Sequence, residues 1–244
     1  MTIQLNPVTR GDLRSRLASP KILWVLRLYV AVLSLLAVFS LPPESGRLPG
    51  LVEVETELLQ LFLLFQLGWV AYLTSALAVG EIAVEGEKQI LDLAVTSFPP
   101  RTIALGKLWT AALFAAALVA AAVPLVALLA PPEVGAIPQL LRALLVMVVL
   151  AVPLAAVGTW LTAAISSDLL RTMVHWSLFL GLFAATRWLA DPLALLNPLR
   201  IVAAAYGGTP SAWPLALLPY LAIAAAGTAL TGRLVLAVRR EGTP

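Results

Sequence analysis

The sequence predicts an all-α integral membrane protein with six transmembrane helices. Of its 244 residues, 61% are apolar and 12% are charged, whereas a soluble domain averages about 45–50% apolar and about 25% charged residues. A soluble protein of this size needs more polar side chains to cover its surface, and a disordered chain needs lower hydrophobicity and higher charge. Both classes are therefore excluded. Apolar stretches near the roughly 20 residues that cross a bilayer core define six spans: 22–41, 58–79, 108–129, 140–165, 173–189 and 215–238.

The segment before the first span is basic. Arg10 and Arg14 lie four residues apart, with Leu13 and Leu17 on a neighbouring face, which predicts a helix lying along the inner leaflet. The alternative is a positively charged flank that only sets topology. Arg27 falls five residues inside the first span and is expected to snorkel to the cytoplasmic surface. The span lacks a small-residue cleavage pattern and is expected to stay as an anchor.

The loop between the second and third spans predicts a short amphipathic helix over residues 81–95. Four charged residues share one stripe at 100° per residue, and apolar residues face the other way. The charged stripe consists of Glu81, Glu85, Lys88 and Asp92. Such a helix either lies on the bilayer surface or contacts a protein. Surface-bound helices usually carry Lys and Arg on their polar face, so the acidic stripe favours a protein partner.

The later spans are separated by helix breakers. Pro131, Pro132, Gly135 and Pro138 divide the third span from the fourth, because proline lacks the amide donor and clashes with the preceding turn. The fifth span is the shortest. Between it and the sixth, apolar pieces at 193–196 and 201–206 are too short to cross. They predict short re-entrant helices on the outer face, with a simple extracellular loop as the alternative.

Basic residues are unevenly distributed about these spans. Twelve of the 16 Lys and Arg residues fall on the side of the two termini and four on the other side. The positive-inside rule then predicts a multi-pass plasma membrane protein with both termini in the cytoplasm.

Several chemistries lack their residues. The chain has no cysteine and one histidine, His175, and it contains neither a Gly-x-x-x-x-Gly-Lys-Ser/Thr phosphate loop, nor a His-Glu-x-x-His pattern, nor a Gly-x-Ser-x-Gly elbow. We therefore predict no catalytic residue, no metal ligand and no enzyme activity. No acidic residue lies inside a span, which argues against proton-driven transport. We assign His175 a structural or interfacial role, and the polar residues of the second span either pack helices or line a path.

One segment carries a family resemblance. The run Glu85-x-Glu87-Lys88-x-Ile90-Leu91-Asp92-Leu93, followed by Thr96 and by Arg101-Thr102-Ile103-Ala104-Leu105-Gly106-Lys107-Leu108, resembles the cytoplasmic signature of ABC-2 type transporter permeases. Similar features occur in register at Asn6-Pro7, Pro124, Ile165-Ser166-Ser167 and Asn197-Pro198. The resemblance thus covers nearly the whole chain, which would form one transmembrane domain over residues 1–244.

The resemblance implies specific sites. The 81–95 segment would be the coupling helix that docks on an ATPase, through Glu81, Ile82, Glu85, Gly86, Glu87, Lys88, Ile90, Asp92 and Leu93. Arg10, Leu13, Arg14 and Leu17 would form an interfacial helix that also touches the ATPase. Gly106 and Lys107 would be the hinge to the third span, and the second and fifth spans would line the substrate path.

The resemblance also implies partners. Two cytoplasmic ABC ATPase subunits would bind ATP and Mg, and this chain would bind no cofactor of its own. A second permease copy or a related permease would complete an exporter in a bacterial inner membrane, surrounded by lipid and without nucleic acid. The alternatives are a membrane protein that needs no ATPase, such as an assembly factor, or a secondary transporter.

Overall fold

The structure, a computed structural model, describes residues 6–39, 56–79, 98–130, 136–184, 196–207 and 213–241. In these ranges the chain forms eight α-helices. They are α1 (Pro7–Ala18), α2 (Pro20–Phe39), α3 (Thr56–Val79), α4 (Pro100–Leu129), α5 (Ala136–Ala164), α6 (Asp168–Phe183), α7 (Pro198–Tyr206) and α8 (Trp213–Glu241).

Five helices, α2, α3, α4, α5 and α8, are long and apolar enough to cross a membrane. The prediction of a helical, multi-pass membrane protein is thereby confirmed. The predicted fifth span, 173–189, coincides with α6, which has 16 residues. Its final part, from residue 185, lies outside the described residues, so a sixth crossing stays a prediction.

Helix ends differ from the predicted span ends where capping residues sit beyond the apolar stretch. α4 begins at Pro100, not at residue 108, because a proline at the first helical position costs no hydrogen bond. α6 begins at Asp168, five residues before the predicted span, because the hydroxyl of Ser167 accepts from the Leu170 amide. Residues 101–107 are therefore part of a continuous helix.

α5 is the central helix and packs against α3, α4, α7 and α8. Small residues permit this close packing. A Cβ on Gly158 would lie 2.9 Å from Cγ2 of Val79, and one on Gly227 of α8 would lie 3.1 Å from the carbonyl oxygen of Ala156. Thr162 adds a hydrogen bond from α5 to the Ala78 carbonyl of α3, at 2.9 Å. α3 and α8 therefore pack with their backbones close to that of α5.

α7 closes one end of the bundle. Its Ile201, Val202 and Ala205 are buried in the main core. The Asn197 side chain caps the helix, accepts from the Leu199 amide at 2.8 Å and donates to the Phe183 carbonyl at 3.3 Å. A short helix was predicted at 201–206, and α7 forms one from residue 198 onward. Its re-entrant position on the outer face stays a prediction, and residues 193–195 of the other predicted piece lie outside the described residues. We call this the α7 end.

α1 lies at the opposite end of the bundle, which we call the α1 end. Its Val8 packs with Ile103 in the first turns of α4 and with Val235 in the last turns of α8. The N-terminal helix and the end of α8 are therefore neighbours. The predicted placement of both termini on one side agrees with this geometry, although the cytoplasmic assignment itself stays a prediction.

Outward-facing surfaces of the long helices are apolar. On α2, Trp24 is 67% exposed and Phe39 is 77% exposed, and on α5 Leu145 is 64% exposed. Continuous apolar faces of this kind are unfavourable in water and are expected where a helix meets acyl chains.

Candidate functional site

The predicted coupling-helix residues, Glu81, Ile82, Glu85, Gly86, Glu87, Lys88, Ile90, Asp92 and Leu93, lie outside the described residues. The structure does describe the first turns of α4, which come soon after them in the chain. α1 packs against these turns. The contact between Asn6, Val8, Thr9 and Asp12 on one side and Thr102, Gly106 and Lys107 on the other is called here the α1–α4 junction.

Asn6 begins the junction by serving two helices. Its side-chain oxygen accepts from the Val8 amide at 2.9 Å, which caps α1. Its side-chain nitrogen donates to the Thr102 carbonyl of α4 at 2.9 Å. The residue that starts α1 therefore also fixes that start to α4.

Gly106 lets the two helices approach each other. A Cβ at this position would lie 2.7 Å from the Cβ of Val8 and 3.1 Å from Oδ1 of Asn6. Any larger residue would therefore push α1 and α4 apart. The hydroxyl groups of Thr9 and Thr110 both donate to the Gly106 carbonyl, at 2.9 and 3.0 Å. The absence of a side chain thus allows α1 to bond directly to the backbone of α4.

An ion pair completes the junction. Nζ of Lys107 lies 2.8 Å from Oδ2 of Asp12, and each side chain is only 11% exposed. The Asp12 carboxylate is so far removed from water that losing the cation beside it would leave a costly buried charge. Lys107 therefore holds α1 in one register on α4.

The two residues predicted as a hinge thus have a different setting. Gly106 and Lys107 lie within the continuous α4, and both contact α1. A hinge absorbs a backbone rotation, and whether these two residues do so stays a prediction.

The predicted interfacial-helix residues divide between two faces of α1. Arg10 and Arg14 are exposed and Leu13 is half-buried. The buried face instead carries Val8, Thr9 and Asp12. The backbone of Leu17 lies in α1, and its side chain is outside what the structure describes. The basic face predicted from the sequence therefore points away from α4.

A second polar contact joins α3 to α6. Nε2 of His175 and the hydroxyl of Ser75 are 2.9 Å apart, and both side chains are buried. That hydroxyl already donates to the carbonyls of Ala71 and Tyr72, at 2.7 and 3.0 Å. Because it has one proton, we assign the proton of the Ser75–His175 contact to Nε2. His175 is therefore buried in a contact between two helices, and the structural or interfacial role expected for it stays a prediction.

Aromatic rings extend the α3–α6 contact along the helix axis. Tyr72 of α3 lies 4.9 Å from Trp176 and 5.8 Å from Phe179, centroid to centroid. Phe179 stacks on Phe183 at 4.6 Å. The second and fifth predicted spans therefore meet through one serine, one histidine and a line of rings.

Gln66 is the most buried polar side chain near the centre of α3. It has no exposed surface, and its amide atoms form no hydrogen bond of good geometry with the described atoms. Its neighbour is Tyr29 of α2, whose hydroxyl donates to the Leu118 carbonyl of α4 at 3.0 Å. The sequence predicted a packing or path-lining role for Gln66, and here the side chain packs.

Sequence reasoning missed Thr9, Asp12 and Thr102. One signal was available for Asp12, since it is the single acidic residue among the first 43. A lone carboxylate inside a basic segment needs a cation beside it when it is buried. Its partner, Lys107, is 95 positions away, and nothing in the local pattern identifies it.

No family model matches the chain, and no curated protein matches it.

Proposed function

We propose that this chain is the membrane-spanning permease subunit of an ATP-driven ABC-2 type exporter. Six helices cross a bacterial inner membrane, with α6 and the residues after it as the fifth crossing and both termini in the cytoplasm. Two copies, or this chain with a related permease, form the substrate path. A separate pair of ABC ATPase subunits binds ATP and Mg and docks on the 81–95 helix.

The α1–α4 junction is the observation that supports the proposal most directly. The resembling segment ends in residues 101–108, and these residues form the first turns of α4, to which α1 is attached. An exporter subunit needs a stiff connection between the place where its ATPase acts and a helix that crosses the membrane. The contacts of α1 with residues 102, 106 and 107 join two helices at the base of α4, just after the segment expected to dock on the ATPase.

The mechanism follows from the length of α4. This helix has 30 residues without interruption and is therefore about 45 Å long. A push on the 81–95 helix enters α4 through Pro99 and Pro100, and α1 moves with it because Lys107 and Gly106 bind the two together. The displacement is carried to Pro124, where α4 lacks one backbone hydrogen bond and can bend.

In this mechanism the path lies beside α3 and α6. α6 is joined to α3 through Ser75 and His175 and through the aromatic line from Tyr72 to Phe183. A helix attached at so few points can separate from its neighbour with little loss of packing. Movement of α6 away from α3 would open the path.

The test is a charge reversal in the 81–95 helix. Glu85→Lys with Glu87→Lys should abolish co-purification with a co-expressed Walker-type ABC ATPase, and with it ATP-dependent transport. The protein should still reach the membrane at its normal level. Co-purification is measured from detergent extracts of cells that express both proteins.

The matched control reverses two carboxylates on the opposite predicted side, Glu53→Lys with Glu133→Lys. This variant should bind the ATPase normally. Unchanged ATPase binding in the Glu85/Glu87 variant would remove the docking proposal, and transport without any ATPase would favour a secondary transporter.

A further inference from the structure

We propose that the base of α2 holds an anionic phospholipid, with Arg27, positioned by the Trp24 ring, binding the headgroup phosphate. The guanidinium of Arg27 lies over the Trp24 ring, with Cζ 5.5 Å from the ring centroid. This geometry is a cation–π contact, and it fixes the direction in which the arginine side chain points.

The position of Arg27 along α2 brings its charge near the lipid phosphates. α2 has 20 residues, so its length of about 30 Å equals the thickness of the hydrocarbon core. Arg27 is the eighth residue of the helix, and its Cα lies about 10 Å along the axis from the first residue. Side chains on a helix point back toward its N-terminus. The guanidinium is thereby directed to the level where lipid phosphates begin.

The surface that surrounds Arg27 is exposed and apolar. Leu23 is 41% exposed, Trp24 67% and Leu28 57%, and Arg27 is exposed among them. Such apolar side chains on an outward face meet acyl chains. A positive charge at that boundary costs free energy unless an anion satisfies it, and the phosphate of a neighbouring lipid lies within reach.

The part of the chain that contains Arg27 carries an excess of positive charge. Residues 6–39 contain five basic residues and one acidic residue, Asp12, and the Asp12 carboxylate is paired with Lys107. In the described part of the chain no carboxylate pairs with Arg27. A lipid with a net negative charge therefore fits this surface better than a zwitterionic lipid.

The experiment uses the absence of cysteine in the full chain. Leu28→Cys carries an NBD fluorophore on the proposed lipid face. The protein is reconstituted in vesicles in which either phosphatidylglycerol or phosphatidylcholine bears a nitroxide near the top of its acyl chain. The quenching curves give the ratio of association constants for the two lipids at this one position.

We expect the ratio to favour phosphatidylglycerol by about fivefold, the effect of about one cationic side chain at the surface. Arg27→Gln in the same labelled protein should bring the ratio close to one. Arg233→Gln is the matched control, because it removes an exposed arginine from another membrane helix, α8, and the ratio at position 28 should not change.

A second label, Leu230→Cys, tests whether the preference belongs to the site. Leu230 is 42% exposed on α8 and lies near Arg233 without a neighbouring tryptophan. A smaller ratio is expected there. Equal ratios at both positions, or a ratio unaffected by Arg27→Gln, would overturn the proposal. Absence of quenching by either lipid at position 28 would also overturn it, since it would mean that a second protein copy covers this face.

Discussion

The Asp12–Lys107 pair is a largely buried ionic contact between α1 and α4. Both side chains are 11% exposed and their charged atoms are 2.8 Å apart. A pair of this kind is costly to break from one side, because the remaining charge stays buried without its partner. Stability measurements on the two residues therefore test the junction directly.

Lys107→Met should destabilise the protein by about 3–5 kcal/mol, the usual cost of an unpaired buried charge. The midpoint of thermal unfolding in detergent measures this loss. Arg101→Met is the control, because Arg101 is exposed on the same helix, and it should change the midpoint little. Exchanging the charges, with Asp12→Lys and Lys107→Asp together, should recover part of the loss. No recovery would show that the pair does not act as a unit.

Replacing Gln66 is expected to raise the stability of the protein, whereas replacing Lys107 is expected to lower it. Its amide is fully buried and forms no well-oriented hydrogen bond with the described atoms, so Gln66→Leu should raise the stability by about 1–3 kcal/mol. Thermal unfolding again gives the measurement, with Gln60→Leu, at a half-buried position of the same helix, as the control. A lower midpoint for Gln66→Leu would mean that the amide is bonded inside the bundle, with the Tyr29 hydroxyl beside it as the partner.

Most of these contacts between side chains of different helices could not be predicted from the sequence. The basic face of α1 was predicted, because charge and helical period are local properties. The buried face was not, because Thr9 and Asp12 meet residues 97 and 95 positions away, and such pairings follow from helix packing. Gly106 was singled out for a role at the base of α4, and its actual role as a close-contact position depends on Val8 across the interface.

At the scale of the helices, the weakest attachment is that of α6. It contacts α3 through the buried His175–Ser75 pair and through aromatic rings around Tyr72. The two helices are expected to separate more easily than α3 and α5, which are joined by glycine contact and by the Thr162 hydrogen bond.

Ser75→Ala should loosen α6. It leaves the Nε2 proton of His175 buried without its acceptor, at a cost of about 1–3 kcal/mol. We expect faster hydrogen exchange of α6 amides in detergent, with α5 unchanged. Ser177→Ala, an exposed serine whose hydroxyl donates to the Met173 carbonyl, is the control and should leave α6 exchange as it is. Equal effects of the two substitutions would remove Ser75 as the anchor.

Helix identity was well predicted and helix ends were not. The apolar stretches located α2 through α6 and α8, because a run of apolar residues is enough to indicate a membrane helix. The ends depend on caps such as Ser167 and on prolines such as Pro100. These residues lie outside the apolar stretch, so hydropathy places the boundary several residues too late.

For the whole molecule, topology is the prediction with the widest consequences. Cysteines introduced at Ser45 and Thr209 should react with a membrane-impermeant maleimide added to intact cells. A cysteine at Ser15, in α1, should react only after the membrane is opened. The native chain has no cysteine, so it serves as the unlabelled control. The reverse pattern would place α1 outside the cell and remove the proposed ATPase docking.

The close approach of Val8 to Gly106 also constrains how the protein is made. Thr9 and the Gly106 carbonyl that it binds are 97 positions apart, so α1 leaves the ribosome well before its seat exists. At about 5–20 residues per second, that interval lasts roughly 5–20 s. During it the carboxylate of Asp12 and the hydroxyl of Thr9 must remain in water, while Arg10 and Arg14 can keep the segment at the lipid surface. Docking of α1 is therefore possible only after the base of α4 has been synthesised.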